Sequence, residues 1–128
     1  MPDLEWNKRW GQQAEAFKNG DEFFNRYDIY GYQWGDPAKS TARFVIPEYI
    51  NPYLLPGGVT LEIGPGGGRY SQFLKKSGHL IFIEYNAEFF PILQDMFAGS
   101  GIEVTCVHSA DCKIQSVPDN SVDFVFSF

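Results

Sequence analysis

The chain of 128 residues contains little cysteine, with only Cys106 and Cys112. Small secreted domains that depend on disulfides carry more cysteines, and the spacing of these two matches no metal-binding motif. The amino-terminal stretch, MPDLEWNKRW, is polar and acidic and does not resemble a signal peptide. No apolar run approaches the ~18 residues of a membrane span. The sequence therefore predicts a cytoplasmic protein with two reduced thiols, no metal site and no membrane partner.

Positive charge is also scarce in this sequence. Ten Lys and Arg residues stand against sixteen Asp and Glu residues, which gives a formal net charge of −6 at pH 7. A surface of this sign does not attract a phosphate backbone, and the basic residues form no cluster along the chain. We therefore expect no nucleic-acid partner, and a metabolite or saccharide is favoured as the molecule on which the protein acts.

Aromatic residues, by contrast, are abundant at 17% of the chain, and many of them fall in its first part. The length and the 44% hydrophobic content fit one globular domain. Residues 1–56 form an aromatic-rich first part, which precedes the main unit at 57–128. The predicted elements of this first part are a helix over 3–20, a loop or short helix over 21–37, and a helix over 38–50 that is interrupted at Pro47.

From Val59 onward, short apolar runs alternate with segments of helical character. The predicted elements are strands over 59–63, 80–85, 102–108 and 122–128, helices over 69–78 and 86–101, and a loop over 109–121. Asn86 is the predicted cap of the second helix, and Pro91 is compatible with that helix in its first turn or at a kink. This alternation predicts βαβ units and a parallel sheet, in which ligands bind beyond the carboxyl ends of the strands.

The stretch TLEIGPGGGRY places four glycines in five positions, directly after the first predicted strand. The dinucleotide pattern G-x-G-x-x-G would need its third glycine at position 69, which is Arg69. The run fits G-x-G-x-G on Gly64, Gly66 and Gly68 instead. Because Pro65 also removes a backbone donor, the loop favours close approach of a ligand to the backbone over phosphate binding.

Acidic residues follow the strand ends at positions that suit a nucleoside. Glu84 ends the second predicted strand, where a carboxylate can accept hydrogen bonds from both ribose hydroxyls. Asp111 follows the third strand, where it can accept from an adenine amine while the backbone amide of Cys112 donates to the ring. Glu62 lies beside the glycine loop and can hold a cationic amino group, directly or through water.

Three stretches, LEIGPGGGRY, LIFIEYN and SADCKIQSVPDNSVDFVFSF, resemble in order and spacing the cofactor motifs of class I S-adenosylmethionine-dependent methyltransferases. The resemblance implies a Rossmann-like α/β fold and covers about residues 59–128. It also implies that residues 1–56 are a helical cap or lid, which in this family often shapes the acceptor site. The cofactor-binding residues that it implies are Gly64, Gly66 and Gly68 for the methionine part and ribose, Glu84 for the ribose hydroxyls, Asp111 and Cys112 for the adenine, and Glu62 for the methionine end. An oxygen acceptor would also need a general base or a metal, and the sequence identifies no catalytic residue for that role.

The sequence departs from that family in the number of strands. The family has seven, whereas four are counted here, in the expected order 3-2-1-4. The fourth would then be an apolar edge strand, and such edges recruit partners. We therefore expect either that this chain is part of a longer methyltransferase or that it forms a homodimer through the fourth strand. In the first case we do not expect full turnover from these residues alone.

The sequence thus predicts an S-adenosylmethionine-dependent methyltransferase that transfers a methyl group to a small-molecule acceptor by in-line displacement, with S-adenosylhomocysteine as product. The alternative is a non-catalytic nucleoside-binding or interaction module that pairs through its last strand. A nicotinamide-dependent oxidoreductase is a third hypothesis, against which Arg69 argues.

Overall fold

The computed structural model describes residues 8, 11, 12, 15, 44–68, 70–111 and 113–127. Its elements are a π-helix at Ile46–Ile50, strand β1 at Val59–Ile63, a 3-10 helix at Ser71–Phe73, strand β2 at His79–Glu84, a 3-10 helix at Ala87–Phe89, helix α1 at Phe90–Met96, strand β3 at Glu103–His108 and strand β4 at Phe124–Ser127. The predicted helix over 3–20, apart from residues 8, 11, 12 and 15, and the predicted segment over 21–37 lie outside the described residues. Within the described part of the chain, no helix is both long and apolar enough to cross a membrane.

The four strands form one parallel sheet in the order β3-β2-β1-β4. This confirms the predicted Rossmann-like α/β sheet and its strand order. Parallel neighbours need crossover connections, and the chain supplies them between β1 and β2 and between β2 and β3. All four carboxyl ends therefore meet at one edge of the sheet, with the glycine run directly after β1 at that edge.

The strand register divides the side chains between the two faces of the sheet, because successive residues of a strand point to opposite sides. One face carries the larger core, which joins strand residues such as Phe82 to the helical segments. Its fully buried members include Leu74, Leu80, Phe89, Leu93 and Ile50. The other face carries a smaller cluster of Leu61, Ile81 and Ile83, against which Val117 and Val122 pack. Among the described residues, the sheet that carries the site edge is thus covered more heavily on one face than on the other.

The predicted helix over 69–78 is wrong in length and type, because its described residues contain only the 3-10 helix Ser71–Phe73. Two buried serines explain the difference. Ser71 hydrogen-bonds to Glu62, and Ser77 hydrogen-bonds to Thr60, so the segment is held against β1 at both ends.

The second predicted helix, over 86–101, is confirmed in place but is shorter than expected. Asn86 caps it as predicted, since its side-chain oxygen accepts from the backbone N–H of Glu88 at 3.0 Å. Pro91 lies in the first turn of α1, as the sequence requires. The helix ends at Met96, and the chain then turns through glycines with positive φ, including Gly99 at 73°. The predicted interruption at Pro47 corresponds to a change of helix type, because the α-helical residues Phe44 and Val45 are followed directly by the π-helix Ile46–Ile50.

Candidate functional site

The glycine loop that follows β1 has an open side and a packed side. Gly64, Gly66 and Gly68 all have positive φ, at 71°, 53° and 84°, a region that disfavours residues with a Cβ. A Cβ added at Gly64 or Gly66 would meet no other atom within 4 Å, whereas one at Gly68 would lie 2.5 Å from Met96 Cε. Gly68 therefore lets α1 approach the loop, and the first two glycines leave room for a ligand against the backbone.

Glu84, the last residue of β2, is fastened to this loop. It is only 7% exposed. The backbone N–H of Gly66 donates to its Oε2 at 3.0 Å, and the N–H of Asn86 donates to its Oε1 at 2.9 Å. An ionised carboxylate has about four acceptor positions, so these two bonds orient Glu84 and leave it able to accept more. The structure thus brings together Glu84 and the glycine loop, as the sequence predicts for a site that binds hydroxyl groups.

Glu62 lies two residues before Gly64 and is more deeply buried than Glu84, at 3% exposed. The hydroxyl of Ser71 donates to its Oε2 at 2.5 Å. Burial raises the pKa of Glu62 from 4.5 to about 8, the bond from Ser71 acts in the opposite direction, and the negative charge of Glu84 adds to the rise. At neutral pH, Glu62 is therefore predominantly a neutral carboxylic acid in the ligand-free protein.

The third part of the predicted site follows β3. The backbone N–H of Ser109 donates to the carbonyl of Glu84 at 3.1 Å, which ties this segment to the end of β2. Asp111 is exposed, and its carboxylate pairs with the Lys113 ammonium at 3.2 Å and accepts from the Lys113 N–H. Cys112 lies outside the described residues. The contacts of Asp111 are thus with Lys113, and its predicted role toward an adenine stays a prediction.

Two polar contacts of the site were not anticipated from the sequence. Ser71 was assigned to a helix, whose spacing alone does not tell which side chain meets Glu62. His108 donates from Nε2 to the carbonyl of Tyr85 at 2.8 Å, which joins the ends of β2 and β3. In the strand register His108 lies opposite Glu84, so a known strand order would suggest this second contact.

The assembled site combines a loop backbone that has an open side with two buried carboxyl groups, and the described Lys113 ammonium is engaged by Asp111. Such a site suits a ligand that carries hydroxyl or ammonium donors, and it does not suit a free phosphate. Among the described residues, no group of three or more His, Cys, Asp or Glu side chains has an arrangement that would hold a metal ion.

Comparison with known proteins gives one relevant result. A family model described as a methyltransferase domain matches residues 61–128, which is more than half of the chain. The match begins within β1 and includes the glycine loop, Glu84, β3 and β4. A search of curated proteins gave no match.

Proposed function

This chain belongs to the methyltransferase domain family, and on that premise we propose that it binds S-adenosylmethionine at the carboxyl edge of its sheet and transfers a methyl group to a small-molecule acceptor. The observation that carries the proposal is the contact between Glu84 and Gly66, because it joins an oriented, buried carboxylate to a glycine loop with an open side. A nucleoside needs both features, one for its hydroxyls and one for close approach.

The residues of the site fit this cofactor by their chemistry. Glu84 would accept from the ribose hydroxyls, and the backbone at Gly64 and Gly66 would lie against the ligand where a Cβ would meet open space. Glu62 would hold the ammonium group of the methionine end. Asp111 and Cys112 would bind the adenine. Gly68 would keep the loop close to α1.

When it is bound, S-adenosylmethionine supplies a methyl group on a sulfonium, which is an excellent leaving group. The residues of the chain then have to align that methyl with the acceptor and exclude water, which are effects of proximity and orientation. Glu84 contributes by fixing the ribose, and Glu62 contributes by fixing the opposite end of the cofactor. Transfer to an acceptor that is already nucleophilic, such as an amine or thiolate, needs no further base.

A small-molecule acceptor is supported by the charge of the protein. The net charge of −6 disfavours the approach of nucleic acid, and the site itself carries acidic side chains. The low cysteine count favours a reducing compartment, and we include a cytoplasmic location in the proposal.

A second candidate function, a nucleoside-binding or interaction module that does no chemistry, is favoured by the position of β4. This strand lies at the edge of the described sheet, beside β1, and its Val125 is 53% exposed. Because apolar edge strands recruit other strands, we propose that β4 pairs with β4 of a second copy. Light scattering should then give a dimer at tens of micromolar protein, and a clean monomer contradicts the pairing. Turnover with any acceptor would decide against the module as the sole function.

The cofactor proposal is tested by calorimetric titration with S-adenosylhomocysteine. We expect binding by the unchanged chain and a loss of at least about tenfold in affinity for Glu84→Ala, the effect of removing hydrogen bonds to a charged group. Glu103→Ala is the matched control, since Glu103 is an exposed glutamate at the opposite, amino end of β3. Equal affinities for the two variants, or no binding by folded protein, would contradict the proposal.

A further inference from the structure

Glu62 occupies a position on β1 whose surroundings are unusually apolar for a carboxyl group. In the strand register it lies between Phe82 of β2 and Phe126 of β4, and all three side chains share one face of the sheet. Phe82 is fully buried, and Phe126 packs against the same core. A carboxylate at such a position loses most of its hydration, which favours the form that keeps its proton.

The polar and charged groups that face Glu62 come from two neighbouring elements. Ser71, from the 3-10 helix, is 0% exposed and donates to Glu62 Oε2. From β2 comes Glu84, the charged group among the described residues that acts on Glu62, and its negative charge also opposes ionisation. The element β4 presents the apolar ring of Phe126. A cation that enters beside Glu62 would therefore meet a carboxyl group without a described positive partner.

We propose that Glu62 is a proton-storing carboxyl positioned by Ser71, and that an ammonium group bound beside it drives the stored proton into solvent. In this step the O–H bond of Glu62 breaks, the proton passes to water or buffer, and the electron pair stays on the carboxylate that now faces the ammonium. The inference rests on the proposed function, because the ammonium is that of the amino-acid end of the cofactor. Its consequence is that cofactor affinity depends on pH.

The sign and size of that dependence follow from the ligand-free pKa of about 8. Below about pH 8 the ligand must displace a proton, so the affinity rises with pH up to about that value, above which the α-amino group of the ligand itself loses its charge. At about pH 7 a group of this pKa is roughly nine-tenths protonated, so about 0.9 proton should leave per ligand bound. Between about pH 6 and about pH 7.5 the affinity should rise by up to about 25-fold. This pH range lies below the ordinary pKa of an α-amino group, so the ligand keeps its ammonium form over most of it.

Ser71 has a separate, measurable part in this device. Its hydrogen bond lowers the pKa of Glu62, so Ser71→Ala should raise that pKa further and shift the steep part of the affinity profile to higher pH. Ser77→Ala is a matched control, because Ser77 is a buried serine that bonds to Thr60 on the same strand, away from Glu62. This variant should leave the position of the pH profile unchanged. If Ser71 had only a structural role, Ser71→Ala would weaken binding equally at all pH values.

The experiment is calorimetry of S-adenosylhomocysteine binding at about pH 7 in buffers of different ionisation enthalpy, which counts the protons released. We expect about 0.9 proton for the unchanged chain and none for the isosteric Glu62→Gln. 5′-Methylthioadenosine, which has the same nucleoside but no ammonium, should bind without proton release. Binding of S-adenosylhomocysteine without proton release overturns this inference alone. Absence of binding by both ligands overturns the proposed function and this inference with it.

A ligand-free measurement guards against loss of folding in the variants. Carbon NMR of the unchanged chain, labelled at the glutamate carboxyl groups, follows the ionisation of Glu62, assigned by the signal that is missing in Glu62→Gln. We expect a midpoint well above the ordinary 4.5, at about 8, because burial disfavours the charged carboxylate. A midpoint near the ordinary 4.5 would overturn the inference whatever the ligands do.

Discussion

Replacing Glu62 by glutamine should remove a pH dependence from the stability of the protein. The substitution keeps the size of a side chain that is 3% exposed, and it keeps an acceptor for the Ser71 hydroxyl. It removes a buried glutamate whose pKa burial raises to about 8. The unfolded chain, in which this carboxyl is hydrated, releases its proton near 4.5, so between these values the folded state holds one proton more than the unfolded state.

The sign of the effect follows from that extra proton. Where the folded state binds more protons, the free energy of unfolding falls as pH rises. The stabilisation that comes from the proton held by Glu62 is fully present below about pH 4.5 and is lost as the pH rises toward about 8. A rise from 4.5 to about 8, at about 1.4 kcal/mol per pKa unit, corresponds to a total of about 5 kcal/mol. About 3 to 4 kcal/mol of this should be lost between about pH 5 and about pH 8.

Urea unfolding at a series of pH values measures this quantity directly. The slope of the free energy of unfolding against pH should be shallower in Glu62→Gln than in the unchanged chain. Below about pH 4.5 the two curves should run parallel, separated by a constant offset. Burial also raises the pKa of Cys106 above 9.0, so its thiol stays protonated over this range. Glu103→Gln, at an exposed glutamate, is the control and should keep the original slope. Parallel curves for Glu62→Gln and the unchanged chain between about pH 5 and about pH 8 would show that Glu62 does not hold a proton in the folded state.

Three further substitutions test the loop and the segment behind it. Gly66→Ala and Gly99→Ala both place a Cβ at positive φ in open space, so each should cost about 1 to 2 kcal/mol of stability by thermal or urea unfolding. Only Gly66→Ala should also weaken S-adenosylhomocysteine binding, and equal weakening by both would contradict the position of the site. Ser77→Ala leaves the buried Thr60 hydroxyl without its partner at 2.7 Å and should cost about 1 to 3 kcal/mol. A neutral result in urea would show that this bond does not hold the segment.

The strands were the part of the fold that sequence patterns predict best. The strand 59–63 is confirmed at both ends, and the others are confirmed within one or two residues. Short apolar runs of β-branched and aromatic residues, bounded by glycine or a loop, leave few other ways to bury them. The strand order came from the family resemblance, since the same runs would also form other parallel sheets. The 3-10 helix Ser71–Phe73 was missed because long-range bonds to β1, which have no local signature, decide its form.

The candidate site was predictable to the extent that it depends on strand ends. Glu84 and the glycine loop meet because parallel strands bring their carboxyl ends to one edge, and the hydrogen bond from Gly66 to Glu84 follows from that. The protonated state of Glu62 was not predictable, because it depends on the aromatic rings that the register sets on either side. The pairing of Asp111 with Lys113 was not foreseen either, since a lysine two residues away is as compatible with a solvated loop.

Binding of the cofactor at the glycine loop and the end of β2 can be tested by a nitrogen–proton NMR titration of the labelled chain with S-adenosylhomocysteine. We predict that the backbone amides of Gly64, Gly66 and Asn86 shift together and saturate with one affinity, while the amide signal of Glu103 at the opposite edge does not shift. A folded chain whose loop amides do not move, or whose shifts cluster at the Glu103 edge, would contradict it.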